Sequence, residues 1–464
     1  MLPNEVIDSG TLNNLFFYIM MMGLLLVLAV FIRLKFKIFK KYFIPAALIA
    51  GVIGLGLGPY GLNLFSEAMV STWGSLAGIL ISIVFAPMLL GMRKSDSKGK
   101  SKLMLRHLVY SYTASLLQIG VPLVVAALVI VPLFDLNEMF GTIIEVGWAG
   151  GHGTAAGMME VYTDLGWAEG GSLAVTTATI AIVFGIISGV IMINHGVKKG
   201  YTSVVKSTEE IKGENKDDLI NIENQKLNSK GTLNPDMVEG YAFHLGLISI
   251  AVIIGWFIQQ FVTLFVTGIP LFPLAMIGGL IVNAIIMRTK YSVTIDKHTL
   301  NRIQGLALDF LVLGAVASIQ IPVVINFALP LLIITAVSIA LLLWYFYYLG
   351  PKFFPEEWFE NAIVHYGAYS GVTAIGLMLL RTADPEMKTE AGQGFALRAP
   401  FYSPILGGGL ITSIIPVLVV NSGALLIGLG AIGIVIILLI ISHFTGLINI
   451  MPSRSVKLSR ARSN

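Results

Sequence analysis

The sequence predicts an all-α polytopic membrane protein. It should consist of two inverted repeats of five transmembrane helices, each with a re-entrant hairpin, plus an extra C-terminal helix. Three observations lead there. Apolar runs recur along most of the chain. Lysine and arginine gather in alternate connections. A glycine-rich stretch, W-A-G-G-H-G-T-A-A-G-M at 148–158, returns in weaker form as Y-G-A-Y-S-G-V-T-A-I-G-L at 366–377.

Of the 464 residues, 56% are hydrophobic and 12% charged. That is about half the ~25% charged fraction of a soluble domain. The apolar runs are 15–31, 43–57, 76–92, 108–134, 173–193, 245–265, 271–287, 306–319, 324–349 and 424–441. Each is near the ~20 residues that cross ~30 Å of hydrocarbon, allowing for flanks. There is no cysteine, which excludes disulfides and thiol chemistry. The start, M-L-P-N-E-V-I-D-S-G, lacks the basic region of a signal peptide, so the first apolar run is expected to stay as a membrane helix. The net charge of +4 is a topology signal rather than a sign of nucleic-acid binding.

The 30 basic residues fall in seven segments: 33–41, 93–106, 195–240, 288–302, Lys352, 381–398 and the tail after 451. The intervening connections hold none. Placing all seven in the cytoplasm puts the N-terminus outside and the C-terminus inside. It also requires the glycine-rich segments, about 142–166 and 360–382, to enter and leave on one side. The charge rule therefore predicts eleven spans and two re-entrant hairpins in a multi-pass protein of the cytoplasmic membrane.

The expected organisation is a first repeat over 1–195, a polar cytoplasmic linker over 196–240, a second repeat over 241–421, and an extra helix with a basic tail over 422–464. F-I-P-A-A-L-I-A-G from 43 resembles L-F-P-L-A-M-I-G-G from 271, G-S-L-A-G-I-L-I-S-I from 74 aligns with G-L-A-L-D-F-L-V-L-G from 305, and G-H-G-T-A-A-G-M from 151 aligns with S-G-V-T-A-I-G-L from 370. The offsets are 228, 231 and 219 residues. Five spans per half and a cytoplasmic linker make the halves inverted, an architecture of secondary transporters.

The glycines follow from what a hairpin tip needs. Two arms of about ten residues each reach about half the bilayer. The tip must turn without a helix at depth, which only protein, water or a ligand can satisfy. Glycine permits the turn and lets a ligand approach the backbone. The helix restarting near Thr154 or Thr373 points N–H groups at the tip, which attracts a carboxylate. The candidate substrate residues are thus Gly150, Gly151, His152, Gly153 and Thr154 in one tip, and Ser370, Gly371 and Thr373 in the other. Thr154 and Thr373 can also ligate sodium. The competing reading is that glycines serve close helix packing. His152 reads equally as site or structure.

Asp309 lies in an expected span, where a carboxylate costs ~2.5–3.5 kcal/mol. It reads as a sodium ligand or as a buried hydrogen-bonded acid. Glu145 either lines the cavity or sits at an interface. Arg381 either meets a substrate carboxylate or pairs locally with Asp384. Asn283 and Gln304 read either as further site candidates or as loop-end residues, the second reading being the simpler. Seven scattered histidines do not form a metal-ligand pattern.

G-G-H-G-T-A, the partner loop S-G-V-T-A, the helix L-A-L-D-F-L at Asp309 and the order of spans resemble the bacterial sodium:glutamate symporters. The resemblance covers nearly the whole chain in layout. It implies sodium-driven uptake of L-glutamate, or of a related dicarboxylate or hydroxy acid, by alternating access. It also implies an elevator-like movement in a homodimer, with sodium as coupling ion, no cofactor and no enzymatic step. The fold is shared with sodium:citrate carriers, which carry G-G-x-G at both tips; here the second tip reads A-Y-S-G. Two other classes fit the sequence less well. A channel needs rings of charges or carbonyls along a pore, and one aspartate with two unlike hairpins suits alternating access better. A serine hydrolase needs a base in reach of its hydroxyl, and His365 lies five residues before Ser370, a poor helical spacing.

Overall fold

The computed structural model describes residues 6–41, 44–92, 101–205, 231–234, 236–265, 269–385 and 387–448. The middle of the expected linker and the basic tail lie outside them. The described residues are helical with no strand. Among the described residues, nine helices are long and apolar enough to cross a bilayer, and three apolar helices are shorter. The chain is a multi-pass membrane protein.

The helices that position the site and the cores are α1 (Ser9–Lys35), α2 (Ala46–Leu57), α3 (Glu67–Phe85), α4 (Ser101–Val125), α5 (Ile143–Gly147), α6 (Gly151–Gly157), α7 (Glu169–Lys199) and α8 (Gly240–Val262). They continue with α9 (Leu271–Ile286), α10 (Lys297–Ala317), α11 (Ala328–Trp344), α12 (Trp358–Ala383), α13 (Ala391–Tyr402), α14 (Leu410–Ser422) and α15 (Ala424–Phe444). Their starts are set by local chemistry. The Asp8 carboxylate accepts from Thr11 N at 3.0 Å, and the Asp296 carboxylate from Thr299 N at 3.0 Å, which satisfies a backbone donor the helix leaves open. Pro45 and Pro270 stand at the N-caps of α2 and α9. Those two helices have 12 and 16 residues, about 18 and 24 Å, short of a full crossing.

Two compact units emerge, each drawing on both halves of the chain. The first comprises residues 1–93, 152–176 and 217–326; the second comprises 94–151, 177–216 and 327–464. In the first unit α1, α2 and α3 bury Met22, Leu25, Ile49, Ala50 and Trp73 against Leu313 and Ala317 of α10. A matching core joins Leu247 and Ala251 of α8, Ala275 and Val282 of α9, Ile295 and Leu300 at the start of α10, and Ala86 and Leu90 after α3. The second helix of each half thus packs on its own first helix and on the third helix of the other half. On α1 only Met22, Leu25 and Ala29 are buried, while Phe16, Leu24 and Phe31 are exposed. An apolar outer face on a 27-residue helix is what lipid contact requires.

Lys297 closes the end of α3. Its Nζ donates to the carbonyl oxygens of Pro87, Met88 and Leu90 at 2.6, 3.1 and 2.8 Å. A cation belongs at a helix C-terminus, where carbonyls lack partners. Asn283 accepts from Gly91 N at 2.9 Å and Gln304 donates to Val84 O at 2.9 Å. Both pin this same turn, and both do so from within helices, Asn283 in α9 and Gln304 in α10, rather than from loop ends.

In the second unit α4 crosses α15 at glycines. A Cβ on Gly120 would stand 2.7 Å from Ile432 Cγ1, and one on Gly428 would stand 3.0 Å from Gly120 O. Small residues allow such an approach in membranes. α4 and α11 end alike. Each passes into a π-helical turn, Ala126–Ile130 and Tyr345–Leu349, and then into a four-residue helix with proline in its first turn, Val131–Phe134 and Gly350–Phe353. From Ala126 to Tyr345 is 345 − 126 = 219 residues, the offset between the two glycine motifs.

Candidate functional site

The segment expected as the first hairpin is broken where its glycines lie. Asn137 Oδ1 accepts from Met139 N at 2.9 Å and starts a 3₁₀ turn over Glu138–Thr142 that leads into α5. The helix stops at Trp148. Gly150 N donates to Glu145 O at 3.0 Å, and Gly151 adopts φ +69°, which glycine enters without steric cost. α6 then begins. In the second unit the first arm is fixed by Gly141 against Leu123, by Thr177 Oγ1 donating to Ile143 O at 2.9 Å, and by Trp148 beside Phe184. In the first unit α6 packs by its glycines: a Cβ on Gly157 would lie 2.9 Å from the Phe272 ring, and one on Gly153 would lie 3.1 Å from Ile81.

The second hairpin lies within α12. Gly371 (φ 172°, ψ 38°) and Val372 (φ 72°, ψ 163°) leave the helical region. The chain then turns back. A Cβ on Gly367 would lie 2.7 Å from Gly376 Cα, and one on Gly376 would enter the Val364 carbonyl. An unbroken helix would hold Val364 and Gly376 about 18 Å apart. α7 confirms the reversal. Its Gly196, Ser188 and Gly185 meet Phe359, Tyr366 and Ser370 in turn, and its Gly189 meets Leu379 of the returning arm. This stretch, long and apolar enough to be a span, is a pair of half-length arms, 358–370 and 373–383. The span after it is also split, into α13 and α14 joined by the glycine-containing segment 403–409.

The two tips meet in the second unit. Val372 Cγ1 occupies the space a Cβ on Gly151 would need. Around this contact Gly151, Ser370 and Gly371 are buried, Gly150 is half-buried and Thr373 is exposed. Ser370 Oγ donates to Tyr366 O at 2.8 Å. His365 bonds His107 and Ser111, and the Ser370 hydroxyl is turned to Tyr366 O instead of to His365. In the first turn of α6, His152 and Thr154 are buried and Gly153 is half-buried.

The charged candidates fare differently. Asp309 is exposed on α10, beside Leu308, whose Cδ1 would stand 3.8 Å from a Cβ on Gly153. Glu145 is buried; its Oε1 accepts from Gly407 N at 3.1 Å and Thr412 Oγ1 at 2.9 Å, while its Oε2 has no partner. Glu145 is therefore enclosed by protein. The expected Arg381–Asp384 pair does not form. Arg381 is exposed, and the Asp384 carboxylate accepts from Lys388 N at 2.9 Å, Thr389 N at 2.8 Å and Thr389 Oγ1 at 2.7 Å. Three donors in the following turn hold that carboxylate more effectively than an exposed arginine would.

A polar layer not anticipated from the sequence lies along the first arm of the second hairpin. α4 contributes His107, Ser111, Ser115 and Gln118, spaced at helical intervals on one face. His107 bonds Asn361 Oδ1 and His365 Nε2, both at 2.9 Å. Asn361 Nδ2 donates to Glu357 O, so Asn361 Oδ1 is the acceptor and His107 Nε2 carries a proton. Tyr369 Oη donates to Ser111 O at 3.0 Å, and Ser115 Oγ bonds Tyr402 Oη at 2.5 Å. Gln118 Nε2 donates to Tyr369 O at 2.8 Å. The signal was present as a polar stripe through an apolar helix.

Two broken helices with touching tips, in a chain of apolar spans, form the kind of site that secondary transporters use. No curated protein matches the chain. The sodium/glutamate symporter family matches it over residues 12–377, from α1 through the tip of the second hairpin. The chain belongs to the sodium/glutamate symporter family.

Proposed function

We propose that this sodium-coupled glutamate transporter carries its substrate at the two hairpin tips and works by alternating access in the cytoplasmic membrane. The observation that carries the site is the contact of Val372 with Gly151, which brings both broken helices to one place in the second unit. Gly150, Gly151, His152, Gly153 and Thr154 serve the first tip; Ser370, Gly371 and Thr373 serve the second. Backbone N–H groups at the restarted helices receive a substrate carboxylate. Asp309, Thr154 and Thr373 are the proposed sodium ligands, and Glu145, with one unpartnered oxygen, is a further cation contact. The N-terminus is outside, the C-terminus is cytoplasmic, and the protein is a homodimer.

Support for two inverted repeats comes from the paired cores of the first unit, the paired π-turns, and the borders of the units. The first unit gives way to the second at 93 and again at 326, and 326 − 93 = 233, close to the sequence offsets. The test is uptake of labelled L-glutamate into proteoliposomes holding the purified chain. Saturable accumulation driven by an inward sodium gradient is expected. Folded protein that accumulates no glutamate in sodium would remove the substrate assignment.

A further inference from the structure

Arg398 of α13 stands apart in the polar layer of the second unit. It is 3% exposed. Its guanidinium lies between two rings, 4.1 Å from the Phe395 centroid and 4.3 Å from that of Tyr402. Among the described residues it makes no ion pair, and its Nε has no hydrogen-bond partner. Glu145 does not serve it; that carboxylate bonds Gly407 and Thr412. Aromatic faces attract a cation, but they do not give a buried guanidinium the hydrogen bonds it loses on leaving water.

The setting points to what completes it. Tyr402 packs edge-on against Tyr369, with ring centroids 6.0 Å apart, and Tyr369 directly precedes Ser370 at the second tip. Gln118, fully buried, donates to Tyr369 O and leaves its own Oε1 unpartnered. Unused hydrogen-bonding capacity therefore lies on both sides of Tyr369. A planar guanidinium with its Nε–H unpartnered suits the two oxygens of a carboxylate. Arg398 also lies beyond residues 12–377, so nothing in the family match assigns it a role.

We infer that Arg398 is the counter-charge for one carboxylate of the transported dicarboxylate and sets the preference for glutamate over its amide, glutamine. The inference rests on the transport reading above. The tips alone supply neutral N–H and hydroxyl groups, which accept an amide nearly as well as a carboxylate. A buried cation does not.

The experiment measures binding of L-glutamate and L-glutamine to the full-length chain in detergent with sodium, by calorimetry and thermal shift, for wild type, Arg398→Gln and Arg398→Lys. Arg398→Gln should weaken glutamate by about 100-fold or more, the loss expected when one partner of a buried charge pair is removed. Its binding of glutamine should change little, so the preference collapses. Its unfolding temperature without ligand should hold or rise, because an unmatched charge is gone. Arg398→Lys keeps the charge but not the fork; it should bind glutamate about tenfold more weakly than wild type and keep its preference for glutamate. Wild-type glutamate affinity in Arg398→Gln overturns the inference, as does an equal loss for both ligands. Should Arg398→Gln not fold, wild-type affinity in Arg398→Lys overturns it. A wild-type chain that binds no glutamate in sodium overturns the transport reading itself, and this inference with it.

Discussion

The contact between the tips makes Gly151→Ala an informative change. Two separate costs follow from the structure. The backbone at Gly151 sits at φ +69°, and a residue with a Cβ pays about 1–2 kcal/mol there. The new Cβ would also enter the space of Val372 Cγ1, and overpacking of this kind costs about 1–3 kcal/mol. The single variant should lose about 2–5 kcal/mol of stability in total. In the double variant Gly151→Ala/Val372→Ala the obstructing methyls are gone and only the backbone cost remains, about 1–2 kcal/mol. The cycle should therefore show a coupling of about 1–3 kcal/mol, well above the additivity error of distant sites. Reversible unfolding in detergent, read for wild type, both single variants and the double variant, gives the number. Strict additivity would mean that the tips do not touch and would refute the reasoning from their geometry.

Other outcomes follow from single residues. Thr154→Val and Thr373→Val should each raise the sodium concentration needed for half-maximal uptake while membrane insertion is unchanged; silence in both would remove the threonines from the ion site. Lys297→Met should lower stability by about 1.5–3 kcal/mol, since the charged donor to three carbonyls at the end of α3 is lost; an unchanged unfolding midpoint would contradict that role. If two or more sodium ions enter with each glutamate, uptake carries net charge and gains ~2.3 kcal/mol per charge per 100 mV. Imposed negative-inside potential should then accelerate uptake, and indifference to potential would contradict that stoichiometry.

The helix breaks were legible because glycine is a costly choice in an apolar helix, so G-G-H-G-T and S-G-V-T marked them. The structure puts those breaks at 148–151 and 371–372. Val372 was not readable as a tip residue. A β-branched side chain at φ 72°, ψ 163° occupies a region essentially reserved for glycine, at a cost of order 1–3 kcal/mol, and no propensity rule would place it there. Charge counting misplaced Arg398 for a physical reason: a rule that treats every arginine as a surface marker cannot register one buried between two rings. The polar stripe of α4 was hidden because averaging over a span hides four polar residues on one face. The split into α13 and α14 was masked in the same way.

The central claim is that the hairpin tips hold the substrate, and the absence of cysteine from the chain allows a direct test. Thr373→Cys places a single thiol at an exposed position beside Gly371 and Val372. Its rate of modification by a maleimide is measured in purified protein with no addition, with sodium, and with sodium and saturating L-glutamate. Occupied tips should slow the reaction several-fold with glutamate and sodium together, and less with sodium alone. A rate unchanged by both, in a variant that still takes up glutamate, would place the substrate elsewhere.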